Sequence, residues 1–373
     1  MATAPPHLAR LADVHELSLG ARVTAYAAIR SLRHGSSRTG DGYFDLVVAD
    51  ASAKLPGKIW SDARAYHEAS RAGLEAGAVV KIYCEVGSYR EALQLTIMQI
   101  REVEERDAGL WDEDAIRGAG WQLVEGLHCE TLVFDIETVP GIDLGAVPEA
   151  VHKAVTRAAE RGDGDPGKVM SLSPYYGRIV SLAFVEGEGE GEAETEAEAE
   201  TEGVGGRRVQ GDTRALIVPP AGREGDDYPS WMRPMTEAEL LRAFWHLADA
   251  AELVVTFNGR GFDLPYLVTR SLILGVPARV DLLSSPFSLR PHLDLYRVLG
   301  HGRGGLGGGS LDVICWALGI DSPKGAMDGS MVAPTYARGD IEAIATYNAA
   351  DVRATRAVYR HLREHLLPFR NDW

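Results

Sequence analysis

Two carboxylates interrupt an otherwise apolar strand. In Thr131-Leu132-Val133-Phe134-Asp135-Ile136-Glu137-Thr138 the acids stand two apart, and residues two apart in a strand face the same side. Both therefore project together from a segment whose other side chains ask for burial. An uncompensated buried charge is costly, and the motif holds no Lys or Arg to pair with either acid. A fold that accepts this strand has to supply a counter-ion there, and a metal cation is the simplest one. For these two residues alone the alternative stays open that one carboxylate caps a turn at the strand end.

Further along the chain the same chemistry recurs. Asp263 closes Thr256-Phe257-Asn258-Gly259-Arg260-Gly261-Phe262-Asp263 at a strand-to-helix junction. Asp is a good N-cap, so this residue caps, ligates, or does both. The glycines would allow close backbone approach to a ligand. Asn258 can hydrogen-bond, and Phe257 or Phe262 can wedge against a terminal base. Tyr347 and Asp351 are four apart and so share one helix face. Asp351 can then bind metal while Tyr347 holds a water. A phenol titrates near ~10, which suits orienting that water rather than deprotonating it. Taken alone, Tyr347 reads as a helix–helix contact. Phosphodiester hydrolysis needs an activated water, in-line attack and charge neutralisation at the leaving oxygen, and two divalent ions roughly 3.5–4 Å apart provide all three. Mg²⁺ and Mn²⁺ prefer hard oxygen ligands, which is what carboxylates offer.

At 373 residues the chain predicts two domains. Residues 20–101 alternate as a small β domain. Val23, Ala25, Ala27 and Ile29 form one such set, then Phe44, Leu46 and Val48, then Lys58-Ile59-Trp60. A helix from Ser61, a plausible cap, to about Gly73 precedes two more strands around Val80–Val86 and Leu93–Ile97. Three strands, a helix and two strands is the order of an OB-fold barrel, and the segment resembles OB modules that hold single-stranded nucleic acid. Tyr26, Tyr43, Trp60 and Tyr83 could form one face, with Arg22, Arg30, Lys54, Lys58 and Lys81 nearby. Such platforms suit unpaired bases, at roughly 1–3 kcal/mol per stacked base. Alternatively these aromatics pack in the barrel or on its helix. The barrel domain is assigned to 1–105 and a linker to 106–127.

From residue 128 to 373 strands and helices alternate. Strands are expected at 132–137, 177–184, 215–218 and 253–257, and helices at 240–247, after Asp263, at 311–318 and at 341–366. Thr236-Glu237-Ala238-Glu239 has the capping-box spacing, and Pro265 suits a first helical turn. The pattern fits a central sheet flanked by helices, an α/β ribonuclease-H-like domain.

The net charge of −16 argues against a nucleic-acid binder when taken alone, since phosphate contacts need Lys and Arg. Nine of those charges come from the glutamates of residues 186–202, which contain no basic residue. An acidic insert over 186–206 is expected as a disordered, solvated loop, a spacer or else a gate or docking site for a protein partner. No run approaches about 18 apolar residues, so no membrane span is expected. The N-terminus lacks a secretory pattern. Three scattered cysteines fit neither a disulfide framework nor a zinc knuckle, and the cytoplasm is the expected compartment.

Three ordered motifs carry a family resemblance: Phe134-Asp135-Ile136-Glu137-Thr138, Thr256 to Pro265, and Tyr347-Asn348-Ala349-Ala350-Asp351-Val352. Over about residues 128–366 the sequence resembles the DEDDy branch of the DEDD 3′–5′ exonuclease superfamily. Within that branch it resembles the predicted exonuclease family related to the proofreading domain of family B DNA polymerases. His292-Leu293-Asp294-Leu295, Ser310-Leu311-Asp312 and Met327-Asp328-Gly329-Ser330-Met331-Val332 add to the likeness. The resemblance implies that Asp135, Glu137, Asp263 and Asp351 hold two Mg²⁺ or Mn²⁺ ions and that Tyr347 positions the water. Thr138, Phe257, Asn258 and Phe262 are the expected contacts to substrate. The expected activity is 3′–5′ hydrolysis of single-stranded nucleic acid, with DNA favoured, to nucleoside 5′-monophosphates. An exoribonuclease and a non-catalytic single-strand-binding or recruitment protein are the alternatives. The sequence departs from the family pattern at the acidic insert and at Asn348, where cysteine is common.

Four other features have plainer readings. Lys324 is either a phosphate contact or a solvated lysine, and His292 either touches substrate or is structural. The glycine-rich run 302–309 lacks the lysine and helix of a P-loop. His361-Leu362-Arg363-Glu364-His365 spells a zinc-peptidase pattern, but with no room for a third ligand it reads as a solvated helix face.

Overall fold

The computed structural model describes the chain except for residues 1–4, 38–39, 128, 163, 186–212, 286–287, 301–308 and 323–326. It divides into two units, Met1–Gln122 and Leu123–Trp373.

In the first unit, the period-2 alternation closes a barrel. After a short β1 (His7–Leu8) come β2 (Arg22–Ser36), β3 (Gly42–Ala49), β4 (Lys54–Trp60), helix α1 (Arg64–Ala72), β5 (Val79–Tyr89) and β6 (Ala92–Glu102). The strands run β2-β3-β4-β6-β5, and β5 pairs back onto β2. Only β4–β6 is parallel within this ring. Three strands, a helix between the third and fourth, and this closure are the topology of an OB fold. Val23, Ala25, Ala27 and Ile29 point inward with Ile82, Cys84, Leu95 and Ile97. The helix starts later than its composition predicts. Ala63 occupies its N-cap with no side-chain bond, so Ser61 is not the cap, and Gly73 ends it in the left-handed conformation.

The expected linker is divided between the units. Residues 106–122, including α2 (Glu113–Arg117), fall with the barrel. Ile116 and Trp111 cover Tyr26, Ala28 and Val79. The Asp107 carboxylate accepts two bonds from Arg101, at 2.6 and 2.7 Å, one from the Tyr26 hydroxyl at 2.9 Å and one from the Glu104 N–H at 2.9 Å. The Arg101 contact holds this carboxyl well below its ordinary range.

The second unit is built on β7 (Thr131–Pro140), β8 (Gly177–Val185), β9 (Thr213–Ile217), β10 (Met232–Pro234), β11 (Leu253–Thr256) and β12 (His292–Asp294), in the order β10-β9-β8-β7-β11-β12. β8 is antiparallel to both neighbours and the other pairings are parallel. This is the ribonuclease-H-like arrangement. Its helices are α3 (Glu149–Arg161), α4 (Pro166–Ser171), α5 (Glu237–Ala250), α6 (Asp263–Leu274), α7 (Leu295–Leu299), α8 (Leu311–Leu318), α9 (Val332–Ala337) and α10 (Ile341–His365). Alternation along β7 assigns its faces. Leu132, Phe134 and Ile136 pack with α5 and α6, whereas Val133 and Val139 join the core beneath α10. Asp135 and Glu137 share the α10 face with the latter pair.

The capping box at Thr236 forms, with the Glu239 carboxylate accepting from the Thr236 N–H at 2.8 Å. Its neighbour Glu237 ties three elements together. The Glu237 carboxylate takes two bonds from Arg270 of α6, at 2.8 and 2.7 Å, and one from the Ile179 N–H of β8 at 3.0 Å. Glu237→Ala would strand a largely covered guanidinium and a backbone donor. It is expected to lower unfolding free energy by about 3 kcal/mol. Urea unfolding measures this, and a change below ~1 kcal/mol would show that the tie is dispensable.

Candidate active site

Two local periodicities meet between β7 and α10. Asp135 and Glu137 project from the strand, and Tyr347 and Asp351 lie one turn apart on the helix. Carboxylate oxygens of Asp135, Glu137 and Asp351 lie within 4.8 Å of one another, the one such group of potential metal ligands among the described residues. Asp263, at the first position of α6, is not in that group. The helix cap is Phe262, without a side-chain bond, so Asp263 is not the cap. Instead it is 4% exposed and its Oδ1 accepts from the Ile136 N–H at 3.3 Å, the amide between the two β7 acids.

This crowding has an electrostatic cost. Burial first, and then the neighbouring carboxylates, push Asp135 and Glu137 well above their ordinary range. Burial raises Asp263 to about 7. The Tyr347 phenol is driven up by burial and by the negative field of Asp351 and Glu137. Opposing these shifts are only uncharged donors, the Asn348 amide at Asp135 and the backbone at Asp263. Converging hard oxygen donors with an unbalanced negative charge fit a divalent metal cation.

The turn between β11 and α6 is held by buried polar groups. Asn258 adopts φ +63°, a conformation Asn tolerates better than most residues. Asp294, 5% exposed, accepts from the Asn258 and Arg260 N–H groups, both at 3.0 Å. Thr256 Oγ1 accepts from the Gly259 N–H at 3.1 Å and bonds His292 Nε2 at 2.8 Å. His292 is buried and its pKa is lowered to about 3 by desolvation, so it is a neutral structural partner. A Cβ at Gly259 would collide with the Thr256 side chain, and one at Gly261 with Asn258. The glycines make room for the turn's own side chains, where the sequence suggested room for a ligand.

A cavity of about 570 Å³ opens beside the acids. It is lined by Asp135, Tyr347 and Asp351 together with Phe257, Asn258, Tyr296 and the start of α8 at Leu311 and Asp312. Phe257 and Tyr296 meet edge to face with centroids 5.6 Å apart. Tyr296 had no motif to single it out, because only its neighbour in space makes it an aromatic pair.

Other expected contacts lie elsewhere. The buried Thr138 hydroxyl donates to the Ser171 carbonyl at 2.9 Å, and Phe262 packs on Tyr266 with centroids 5.4 Å apart. Neither is in the cavity lining. Lys324 and the acidic insert 186–206 lie outside the described residues. His361 and His365 pair their rings 5.0 Å apart near the end of α10. On the barrel, Tyr26 is 6% exposed and hydrogen-bonded to Asp107, so its ring is closed to a base. Tyr43 and Trp60 stand opposite one another on β3 and β4. Lys58 lies 3.8 Å from the Tyr43 ring centre and 4.8 Å from that of Trp60, and Trp60 is 42% exposed. Tyr83, half-buried on β5, is separated from this pair by β6.

Residues 232–367 match the model of a family described as a predicted 3′–5′ exonuclease related to the exonuclease domain of PolB. The match takes in Asp263, Tyr347 and Asp351 and leaves out β7 with Asp135 and Glu137. No curated protein matches the chain. Among solved structures, the family B DNA polymerase of the archaeon Pyrobaculum calidifontis is similar at 15% identity and TM-score 0.40, covering 91% of this chain and 46% of the polymerase. This chain thus spans less than half of that enzyme. The second OB-fold domain of replication protein A from Methanococcus maripaludis is similar at 16% identity and TM-score 0.20, covering 24% of this chain and 91% of that domain. No helix among the described residues is long and apolar enough to cross a membrane.

Proposed function

We propose that this protein is a divalent-metal-dependent 3′–5′ exonuclease that hydrolyses single-stranded DNA and releases nucleoside 5′-monophosphates. The observation that carries the reading is the meeting of Asp135, Glu137 and Asp351 within 4.8 Å beside a cavity. Asp263 is bonded to the amide between the first two. Two divalent ions bound by these four acids would supply charge neutralisation at the reacting phosphate and at the water that attacks it. Tyr347, its affinity for its proton raised, keeps that proton at neutral pH and orients the water by hydrogen bonding. The cavity falls within the range of about 300–1,000 Å³ common for small-ligand sites, room for one terminal nucleotide. Phe257 and Tyr296 offer its base an aromatic wall, and Asn258 offers an exposed amide. On the barrel, Trp60 and Tyr43 with the Lys58 ammonium form the stacking surface for unpaired bases.

A 5′-labelled oligonucleotide incubated with Mn²⁺ tests the reading. Stepwise shortening is expected, stopped by EDTA and by Asp135→Ala, and faster on DNA than on a matched RNA. Binding without metal-dependent shortening would leave a non-catalytic binding protein. Trp60→Ala is expected to weaken single-strand binding between about 5- and 150-fold, the loss of one stacked base at roughly 1–3 kcal/mol. Unchanged affinity would remove the barrel surface from the proposal.

A further inference from the structure

We infer that Asn348 is a positioning residue that sets the orientation of Asp135 and the spacing between β7 and α10 in the metal cage. The inference rests on the metal-dependent reading above. Asn348 is 0% exposed, and both polar atoms of its side chain are hydrogen-bonded. Its Oδ1 accepts from the Ala183 backbone N–H at 2.7 Å and from the Ser181 hydroxyl at 2.9 Å. Its Nδ2 donates to Asp135 Oδ2 at 2.7 Å. The backbone N–H can only donate, so the amide oxygen must face β8 and the NH₂ must face the carboxylate. Flipping the amide would set donor against donor at Ala183.

The strand register shows what the amide spans. Ala183 lies opposite Asp135 and Ser181 opposite Glu137. One side chain of α10 thus grips β8 at the two positions that back the β7 acids. On its own helix it follows Tyr347 directly and precedes Asp351 by three residues. Asp135, Glu137 and Asp351 repel one another before any cation arrives, and the amide contact attracts Asp135 against that repulsion. A lysine or arginine there would do so by adding positive charge, which would compete with the cation. Asn supplies the donor without the charge.

Groups that orient a metal ligand typically contribute 10- to 100-fold to metal affinity. Direct Mn²⁺ titration of the full chain, with a parallel assay of hydrolysis against Mn²⁺ concentration, tests the role. Asn348→Leu keeps the volume and loses every bond. Its Mn²⁺ Kd and its metal concentration for half-maximal hydrolysis are each expected to rise 10- to 100-fold. Saturating Mn²⁺ should bring kcat back to within about threefold of wild type, with KM for the oligonucleotide unchanged; a purely structural role would not give that split. Asn348→Ser, which retains a shorter donor, should fall between the two and stands in if the leucine variant fails to fold. A Kd within twofold of wild type in the folded variant would overturn the inference alone. Wild-type protein that binds Mn²⁺ no better than Asp135→Ala would overturn the metal reading and this inference with it.

Discussion

Asp263→Asn is expected to stabilise the metal-free protein at pH 8 by on the order of 3 kcal/mol while lowering hydrolysis of the 3′-terminal nucleotide about 10²- to 10³-fold. The side chain is almost wholly buried and accepts from the Ile136 N–H. Asn preserves the shape and the accepting oxygen and removes the charge. Burial raises the folded-state pKa from 3.8 to about 7. The proton is therefore held more tightly in the folded chain than in the unfolded one. The stability this provides is fully present below about pH 4 and is lost as pH rises through about 7. Urea unfolding in EDTA between pH 4 and 8 should show wild-type stability falling across that window, with a shallower fall in the variant. Parallel pH profiles for the two proteins would refute the buried-charge account. Mn²⁺ should restore the wild-type protein at pH 8 more than it does the variant, because only the wild type regains a counter-charge at that position.

Tyr347→Phe is expected to lower kcat about 10²-fold at saturating Mn²⁺. The change removes one hydroxyl and keeps the ring that packs beside α10's core residues. Because the phenol is pushed up by burial and by Asp351, the hydroxyl acts as a donor throughout the neutral range, and no new dependence on pH is expected from its loss. Single-turnover hydrolysis at saturating Mn²⁺ measures the effect. A turnover equal to wild type would return Tyr347 to the helix–helix contact that its spacing also allowed. Tyr347 and Asn348 are neighbours in the chain, yet their variants should separate. The first should lose rate at full metal occupancy, and the second should lose metal and recover rate when metal is supplied.

Much of this arrangement was legible in the residues because its units are local. Alternation in residues 131–140 places Asp135 and Glu137 on one face of β7, and a separation of four places Tyr347 and Asp351 on one face of α10. Both follow from backbone geometry alone. The barrel strands and the order of elements are also local patterns, and the structure keeps that order. Asn348 could not be assigned this way, since nothing near it in sequence announces that Ala183, Ser181 and Asp135 would surround it. The same holds for Asp294, whose carboxylate caps a turn more than thirty residues earlier. Tyr26 and Trp60 look alike as strand aromatics, but residues 107–116 cover only the first of the two.

The chain by itself determined the kinds of element, the faces on which its acids stand and the chemistry those acids suit, because residue type and periodicity act over a few positions. Which faces meet was decided only by the tertiary structure. Packing α10 and α6 against β7 brings four like charges into one place and closes Asn348 behind them. That outcome depends on the burial of distant apolar faces, a long-range balance that no single segment contains.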